Sequence, residues 1–469
     1  MLRLRFGGGV FVGVLMAIPQ LLPAGWTRIY GGDSTEVPVC TRETPDGGYA
    51  VLGYTYSFGA GKSDIWLLKV NAEGDTVWTQ TYGGEDYEYG ACLQVTEDSG
   101  FVIVGGTGSF GAGGGDIWLL KTDHYGDTLW SKLYGGDSLE DACYVSEIED
   151  SGYMIIGSTH SFGAGEDDIW VIKTDAYGDT VWTRTYGGEG EDWCVSANKT
   201  SDGVYVILAK LYSFGYYFLI RVYADGEIYR LEEYPAWKAN YVTGGYILTG
   251  CDYKSGAEPP YLWISKSNWY GWEEWHTLYG GENWEEGYCI ETTDDGCYIV
   301  TGEKDYIDDS GRDLWLLKID VWGDTLWTRT YSSRGIDCGY FVQQTSDGGY
   351  IVLGETKSLG TESYDLWLIK TDSLGDTLSA IAEQPVAEPA ADWEVVSSIG
   401  PQIILRYADH PQGFHASVFN AAGQKVGELH SASASGTITW GNDMSRGVYF
   451  IQEIKRGSGS KVSRVILLH

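Results

Sequence analysis

Short apolar runs, none with a helical period, follow one another along residues 26–378, and clusters of Gly, Asp and Ser bound each of them. Val, Ile, Trp and Tyr fill the runs, which predicts β-strands. Four kinds of run recur in a fixed order. The first is mixed, as in Cys92-Leu93-Gln94-Val95-Thr96, and the second follows a D-G-G-Y or D-S-G-Y turn, as in Tyr350-Ile351-Val352-Leu353-Gly354. The third, Ile117-Trp118-Leu119-Leu120, is apolar without alternation, the pattern of a strand covered on both faces. The fourth is L-W-T-R-T-Y or a close variant.

The order repeats with a period. Trp26, Trp78, Trp130 and Trp182 are 52 residues apart, as are Trp275 and Trp327. The 93 residues between Trp182 and Trp275 hold two worn copies, the second beginning near Tyr229, so the array has seven units. Four-stranded sheets stacked face to face around an axis cover the third strand on both sides, so each unit reads as one propeller blade. Helical solenoids are excluded by the missing 3.6-residue period and by the glycine content. The last unit stops at Gly375-Asp376-Thr377-Leu378 without its fourth strand, whereas the chain enters the array on one, Trp26-Thr27-Arg28-Ile29-Tyr30. The predicted fold is therefore all-β: a seven-bladed β-propeller closed by the N-terminal strand, which hides a sheet edge, followed by a small immunoglobulin-like β-sandwich.

The boundaries follow from changes in composition. Residues 1–24 carry Arg3 and Arg5, an apolar run from Phe6 to Ile18 and small residues at the end, the pattern of a secretory signal peptide cut near Ala24 or Gly25. The alternative is an uncleaved anchor, although the apolar run is shorter than the roughly 20 residues of a spanning helix. The propeller takes 25–379, a linker rich in Ala, Pro and Glu takes 380–392, and the second domain takes 393–469. The last contains several short alternating strands, with a hairpin turn at Asn420-Ala421-Ala422-Gly423-Gln424, in keeping with a sandwich.

Charge narrows the partners. Of the formal net charge of −35, the propeller carries −36. Such a surface repels nucleic acid and anionic lipid, so nucleic-acid binding and, after signal cleavage, membrane insertion are not expected. Six cysteines, Cys40, Cys92, Cys143, Cys194, Cys289 and Cys338, fall in the first strands of their units and read as one repeat position. Equivalent positions on neighbouring blades are too distant to bridge, so free buried thiols are expected rather than disulfides. The recurrent D-x-x-G-D-T reads as a hairpin turn capped by its first Asp. Calcium at this turn is the alternative, but the spacing lacks the order of a calcium loop, and no cofactor is assigned.

In the second domain, F-N-A-A-G-Q-K-V, then G-V-Y-F, then K-V-S-R-V-I-L-L at the end of the chain resemble the type A sorting domain of the bacterial type IX secretion route. They are also similar to the immunoglobulin-like module of flagellar hook-capping proteins. The array resembles secreted bacterial repeat proteins with YGG…DGGY…SFG…DIWLxKTDxxGDTxW units. The resemblance implies export, contact with the secretion machinery through the C-terminal domain, and a secreted or cell-surface location.

Catalytic chemistry is not legible. The seven histidines are scattered without metal-ligand spacing, no nucleophile elbow or phosphate loop stands in a suitable context, and no acid pair stands out among so many carboxylates. No catalytic residue is assigned. The expected function is a secreted or cell-surface binding or adhesion module for an extracellular glycan or protein. The alternatives are an extracellular glycan-active hydrolase or lyase, and a purely structural envelope protein. Strand direction puts the YGG loops and the SFGAG loops on one face, the predicted working face. An acidic collar of Glu36, Glu88, Glu140, Asp192, Glu286 and Asp337 is expected at its mouth. The repeat is most irregular between Trp182 and Glu286, where Trp193, Trp237, Trp284 and Tyr253 are expected to line a groove beside Glu191, Asp192 and Glu286.

Overall fold

The computed structural model describes residues 25–377 and 393–467, apart from short internal stretches that include 212–215, 235–237, 253–260, 306–310, 358–362, 408–413 and 454–461. The expected signal peptide (1–24) and linker (380–392) lie outside the described residues. The chain divides into two compact units, Met1–Ser379 and Ala380–His469.

The first unit is a seven-bladed β-propeller of four-stranded antiparallel sheets. Blade one consists of Glu36–Glu43, Tyr49–Thr55, Asp64–Val70 and Thr76–Tyr82, in that spatial order, and the later blades repeat it. The first strands form the inner ring. Each touches the first strand of the next blade, and Ile336–Gln344 of blade seven returns to Glu36–Glu43 of blade one. Blade seven takes its fourth strand from the start of the chain: Trp26–Tyr30 pairs antiparallel with Asp365–Thr371, Trp26 opposite Lys370 and Tyr30 opposite Leu366.

One contact recurs between neighbouring blades. The tyrosine ending a fourth strand donates to the glycine carbonyl in the next blade's D-x-x-G-D turn: Tyr82 to Gly126 at 2.6 Å and Tyr134 to Gly178 at 2.6 Å. Tyr30 does the same to Gly74 at 2.5 Å, so the seam between blades seven and one is built like the others. The turn itself uses its first carboxylate on its own backbone. Asp123 Oδ1 accepts from the N–H groups of Tyr125 and Asp127 at 2.8 and 3.0 Å, and Gly126 takes φ +81°, where a side chain is strained.

Third strands such as Asp64–Val70 and Asp116–Thr122 are buried along their whole length, as their unbroken apolar runs require. In blades one, two, three, six and seven the position before the last residue of this strand is a lysine whose charge needs a partner. Lys69, Lys121, Lys318 and Lys370 are buried and pair with Asp46, Asp98, Asp295 and Asp347 of the turn between first and second strands, at 2.9, 2.9, 2.6 and 2.8 Å.

Both predicted loop classes do share one face. Parallel bridges join the loop between second and third strands to the loop entering the next blade at Ser63 with Tyr87, Gly115 with Leu139, and Asp167 with Glu191. The opposite face carries the two kinds of tight turn.

The cysteine register differs from the sequence reading. A β-bulge sits in the first strand of blade one between Pro38 and Cys40, and its counterparts fall at Gly90/Cys92, Ala142/Tyr144, Cys194/Ser196, Gly287/Cys289 and Gly339/Phe341. Only Cys40, Cys92 and Cys289 therefore share a structural position, since Tyr144, Ser196 and Phe341 occupy it elsewhere. The bulge falls at the same place in all six of these blades, so it does not cause the offset. The offset stands in the chain itself: Cys92, Cys143 and Cys194 follow one another at 51 residues and Cys338 follows Cys289 at 49, against a period of 52. No disulfide joins the described cysteines; Cys40, Cys92, Cys289 and Cys338 are buried, and the thiols of Cys92 and Cys289 donate to the carbonyls of Val145 and Val342.

The second unit has two sheets. One contains Trp393–Ser397, Ile403–Tyr407 and Gly436–Trp440, and the other contains Ile399–Gly400, Val462–Leu467, Gly447–Glu453, Phe414–Asn420 and Lys425–Ser431. Leu405 and Tyr407 from the first pack with Phe414, Ala416, Val418, Leu429, Tyr449 and Ile451 from the second. Phe414–Asn420 and Lys425–Ser431 are antiparallel neighbours, and Asn420 Oδ1 accepts from the N–H of Gln424 at 2.9 Å across the expected hairpin.

Candidate functional site at the loop-face mouth

The expected acidic collar is not a collar. Glu36, Glu88, Asp337, Glu140 and Asp192 are at most 2% exposed, and Glu286 is 9% exposed. Glu88 accepts from Thr107 Oγ1 at 2.8 Å, from Ser109 N–H at 3.1 Å and from Gly84 N–H at 2.8 Å. Glu140 makes the same three bonds to Thr159, Ser161 and Gly136. Glu36 binds Thr55 and Gly32, Asp337 binds Ser333, and Asp192 accepts from Gly188 N–H at 2.6 Å. These carboxylates bolt the two loops of the face together from inside. A buried carboxylate needs such donors, and the loop N–H groups need acceptors.

The glycine opening each YGG loop explains that sequence. A Cβ on Gly83 would lie 1.9 Å from Asp64 Oδ1 and 2.7 Å from Glu88 Oε2, and one on Gly31 would meet Asp365 and Glu36 in the same way. The carboxyl of the third-strand Asp thus approaches that of the inner-strand acid. Burial, then the hydrogen bond to Glu36 and its charge, raise the carboxyl of Asp365 to about 6.

The acid of blade six that holds this position is Glu285, fully buried and opposite Lys304, where Glu36 stands opposite Thr55. Lys304 Nζ lies 3.3 Å from Glu285 Oε1. Glu286 is therefore one step further along its strand, in a different tier of the ring.

That next tier holds the irregular chemistry. It pairs the second position of each regular inner strand with the residue after the glycine of the adjacent strand, or after Ala209 in blade four: Val37 with Tyr54, Tyr89 with Gly106, Asp141 with Ser158, Trp193 with Lys210, Glu286 with Glu303, and Cys338 with Glu355. Contacts link the tier across blades. The Tyr54 and Tyr89 rings meet edge to face at 6.4 Å, Tyr89 Oη donates to Asp141 Oδ1 at 2.5 Å, and the charge of Glu355 reaches Tyr54 across the seam.

Blades six and seven concentrate it. Trp284 Nε1 donates to Glu286 Oε2 at 3.2 Å, and the Arg312 guanidinium lies 6.0 Å from the Trp284 ring centroid. Arg312 Nη1 also donates to Glu303 Oε1 at 2.7 Å. Tyr340 Oη donates to Glu355 Oε1 at 3.0 Å, and the Tyr288 and Tyr340 rings stack at 5.4 Å. Burial raises Glu303, opposed by the Arg312 charge and assisted by that of Glu286. Burial also raises Glu355, opposed by the bond from Tyr340 and assisted by Glu303. Burial, then the charges of Glu303 and Glu355, push the Cys338 thiol well above its ordinary value. Chemically, this is a set of buried and half-buried carboxyls beside aromatic rings. Among the described residues no group of three His, Cys, Asp or Glu side chains is arranged to hold a metal ion.

The expected groove is therefore redistributed. Trp193 is 39% exposed and belongs to the mouth tier on blade four. Trp284 is half-buried, and it contacts Glu286, Arg312 and Asp305 of its own blade. Glu191 is half-buried in the bridge to Asp167, and Asp192 is a buried bolt. Trp237 and Tyr253 lie outside the described residues. Sequence reasoning missed Glu303 and Glu355. Their signal was a substitution within the repeat: the residue after the second-strand glycine is Tyr54, Gly106 or Ser158 in blades one to three and glutamate in blades six and seven.

No family model matches the chain, and no curated relative does. Solved structures do match. The extracellular domain of a putative hybrid two-component system from B. thetaiotaomicron is 11% identical with a TM-score of 0.42, over 95% of this chain and 60% of that one. The chain thus spans 60% of the length of that neighbour. The β-propeller domain of the Trilobed protease from Pyrococcus furiosus is 11% identical with a TM-score of 0.42, over 77% and 99%. An α-L-arabinanase of Penicillium chrysogenum is 12% identical with a TM-score of 0.39, over 74% and 98%. At these values the likenesses say nothing about binding or chemistry.

Proposed function

We propose that the protein is a secreted or cell-surface binding module that holds a glycan at the loop-face mouth of its propeller. The observation that carries this reading is the mouth tier. Trp193, Tyr89 and Tyr54 share it with Asp141, Glu286, Glu303 and Glu355, and the stacked Tyr288–Tyr340 pair stands two residues further along the inner strands of blades six and seven, on strands rather than loose loops. Aromatic faces stack on sugar rings, and carboxyls fixed nearby accept or donate hydrogen bonds with hydroxyls. Rigid placement lowers the ordering cost of binding. The test is a glycan-array screen of the purified chain followed by titration calorimetry. Trp193→Ala is expected to weaken binding about tenfold with little change in Tm, since the ring is exposed. Undiminished binding in that variant sinks the mouth as the site. A protein ligand in place of a glycan would appear as silence on the array and a saturable partner in a cross-linking screen.

A second reading is glycan hydrolysis, favoured by two carboxyls in one tier, Glu303 and Glu355, both raised by burial, since a glycosidase works with a pair of acids of which one carries a raised pKa. Release of reducing ends from a bound glycan, abolished in Glu303→Gln, is its signature. Export through the C-terminal unit is part of the proposal and is tested by reporter fusion to residues 380–469, which should send the reporter outside the cell.

A further inference from the structure

The opposite face, with its tight turns, has a built feature of its own. Between blades two and three a cleft of about 310 Å³ is lined by Asp98, Lys121, Trp130, Glu147, Tyr153 and Ala176, among others. Between blades three and four the corresponding cleft, about 400 Å³, is lined by Asp150, Lys173, Lys199, Asp202, Tyr205 and Ala224, among others. The two are one architecture displaced by a blade. Asp98 and Lys121 correspond to Asp150 and Lys173, and Tyr153 and Ala176 correspond to Tyr205 and Ala224. Both volumes fall at the lower end of the range for small-ligand sites.

Three observations define what fits. Each cleft has an aromatic wall: Trp130 meets Tyr153 edge to face at 5.7 Å in the first, and Tyr205 stands in the second. Each has polar groups held in ion pairs, Lys121 with Asp98 at 2.9 Å and Lys173 with Asp150 at 3.3 Å. Around them the hairpin tips carry exposed aromatic rings. Tyr177, next to the cleft residue Ala176, is 71% exposed, and Tyr125, on the same turn one blade earlier, where Gly126 packs on Trp78 of blade one, is 59% exposed. Tyr270, Trp272 and Trp322 continue the series on blades five and six at 64–75%. Rings at the same turn of adjacent blades, Tyr125 with Tyr177 and Tyr270 with Trp322 on either side of Asp225 in blade four, are a repeated platform, and a repeated platform matches a repeating ligand. The first cleft is lined by Glu97, Asp98 and Glu147 against Lys121 alone, and the propeller is strongly acidic, so an anionic chain is disfavoured.

We propose that the turn face is a second binding surface, which takes an uncharged polysaccharide across the seams of blades one to four, with Tyr125 and Tyr177 stacking on its sugar rings. This surface is independent of the mouth on the other face. The test uses the full chain and calorimetry with cellohexaose, xylohexaose, mannohexaose and chitohexaose, with trigalacturonate as the anionic probe. At least one neutral hexamer is expected to bind, and trigalacturonate at least tenfold more weakly. Tyr125→Ala/Tyr177→Ala should weaken that binding about tenfold at unchanged Tm, because both rings are exposed, while Trp193→Ala leaves it intact. The proposal is overturned if no neutral hexamer binds, if trigalacturonate binds as tightly, or if the double variant binds like the parent. Loss in Trp193→Ala alone would return the ligand to the mouth and overturn the turn face. Loss in the double variant alone supports the turn face and removes this ligand from the mouth.

Discussion

Carboxylates in this molecule do different work according to what donates to them. Glu88 shows the buried kind, with three donors and no exposed surface. Glu88→Ala orphans two loop N–H groups and a threonine hydroxyl, and it should lower the free energy of unfolding by about 2–3 kcal/mol in urea titrations. Asp46, Asp98 and Asp295 show the half-exposed kind. Burial raises each of them, but the bonds from Thr44, Thr96 or Thr293 and from Lys69, Lys121 or Lys318, with a backbone N–H, outweigh it and leave about 2. A depressed carboxyl stabilises fully above its unfolded value, about 3.9, and the contribution is lost as pH falls towards 2. Stability should therefore drop between about pH 4 and pH 2, and replacing the three by Asn should flatten that limb. Asp365 has the opposite sign. Raised to about 6, it binds its proton more tightly in the fold, so its contribution is complete below about pH 4 and lost as pH rises through 6. Asp365→Asn, which gives Glu36 a permanent donor, should raise Tm at about pH 7.5 and remove the slope between about pH 4 and 6; an unchanged profile would refute the shared proton.

At the scale of elements, the seam is where the ring depends on sequence at its far ends. Trp26–Tyr30 pairs with Asp365–Thr371, Trp367 Nε1 donates to Thr27 Oγ1, and Ser346 of blade seven donates to Glu43 of blade one. Deleting residues 25–31 bares an edge strand and removes the Tyr30–Gly74 bond, so soluble yield should fall and light scattering on heating should begin earlier than in the parent. This closure was legible because the missing fourth strand of unit seven and the surplus one before unit one are visible in the chain. The four-strand blade was legible because the third strand's unbroken apolar run allows only a doubly covered position. The bulges were not legible, since a residue extruded from a ladder at the same place in each unit leaves the repeat length intact, whereas the cysteine drift, 51 residues from Cys92 to Cys143 and 49 from Cys289 to Cys338, stood in the chain and was read as one position. The collar failed for another reason. Acid at a strand start after a glycine loop reads as solvated unless its partner is noticed, and the partner was present: a threonine 19 residues on, in Glu36/Thr55, Glu88/Thr107, Glu140/Thr159 and Asp337/Thr356. Glu303 and Glu355 were hidden by the opposite habit, because departures from the repeat were sought in loops and these two lie on strands.

For the whole molecule the governing quantity is charge. The chain has 66 acidic and 31 basic side chains, and the excess of acid lies on the propeller. Part of it is neutralised locally: Lys69, Lys121, Lys318 and Lys370 are buried against single carboxylates, and those pairs are shielded from ions by their surroundings. What remains is exposed acid on loops and turns, where like charges repel through water over about 10 Å at 0.1 M salt. Salt therefore has two opposed effects. It weakens the few exposed pairs, such as Lys62–Asp86 and Lys132–Asp179, which contribute little to begin with. It also screens a repulsion spread over the whole surface, which destabilises the compact ring. The second is the larger, because the uncompensated acids outnumber the exposed pairs. Raising sodium chloride from about 0.02 to 0.5 M should lift Tm by several degrees, with most of the rise complete by about 0.2 M, where the screening length has fallen below 10 Å. A Tm that falls over this range would mean that the exposed pairs dominate, and Lys132→Met would then be as destabilising as the loss of a buried lysine.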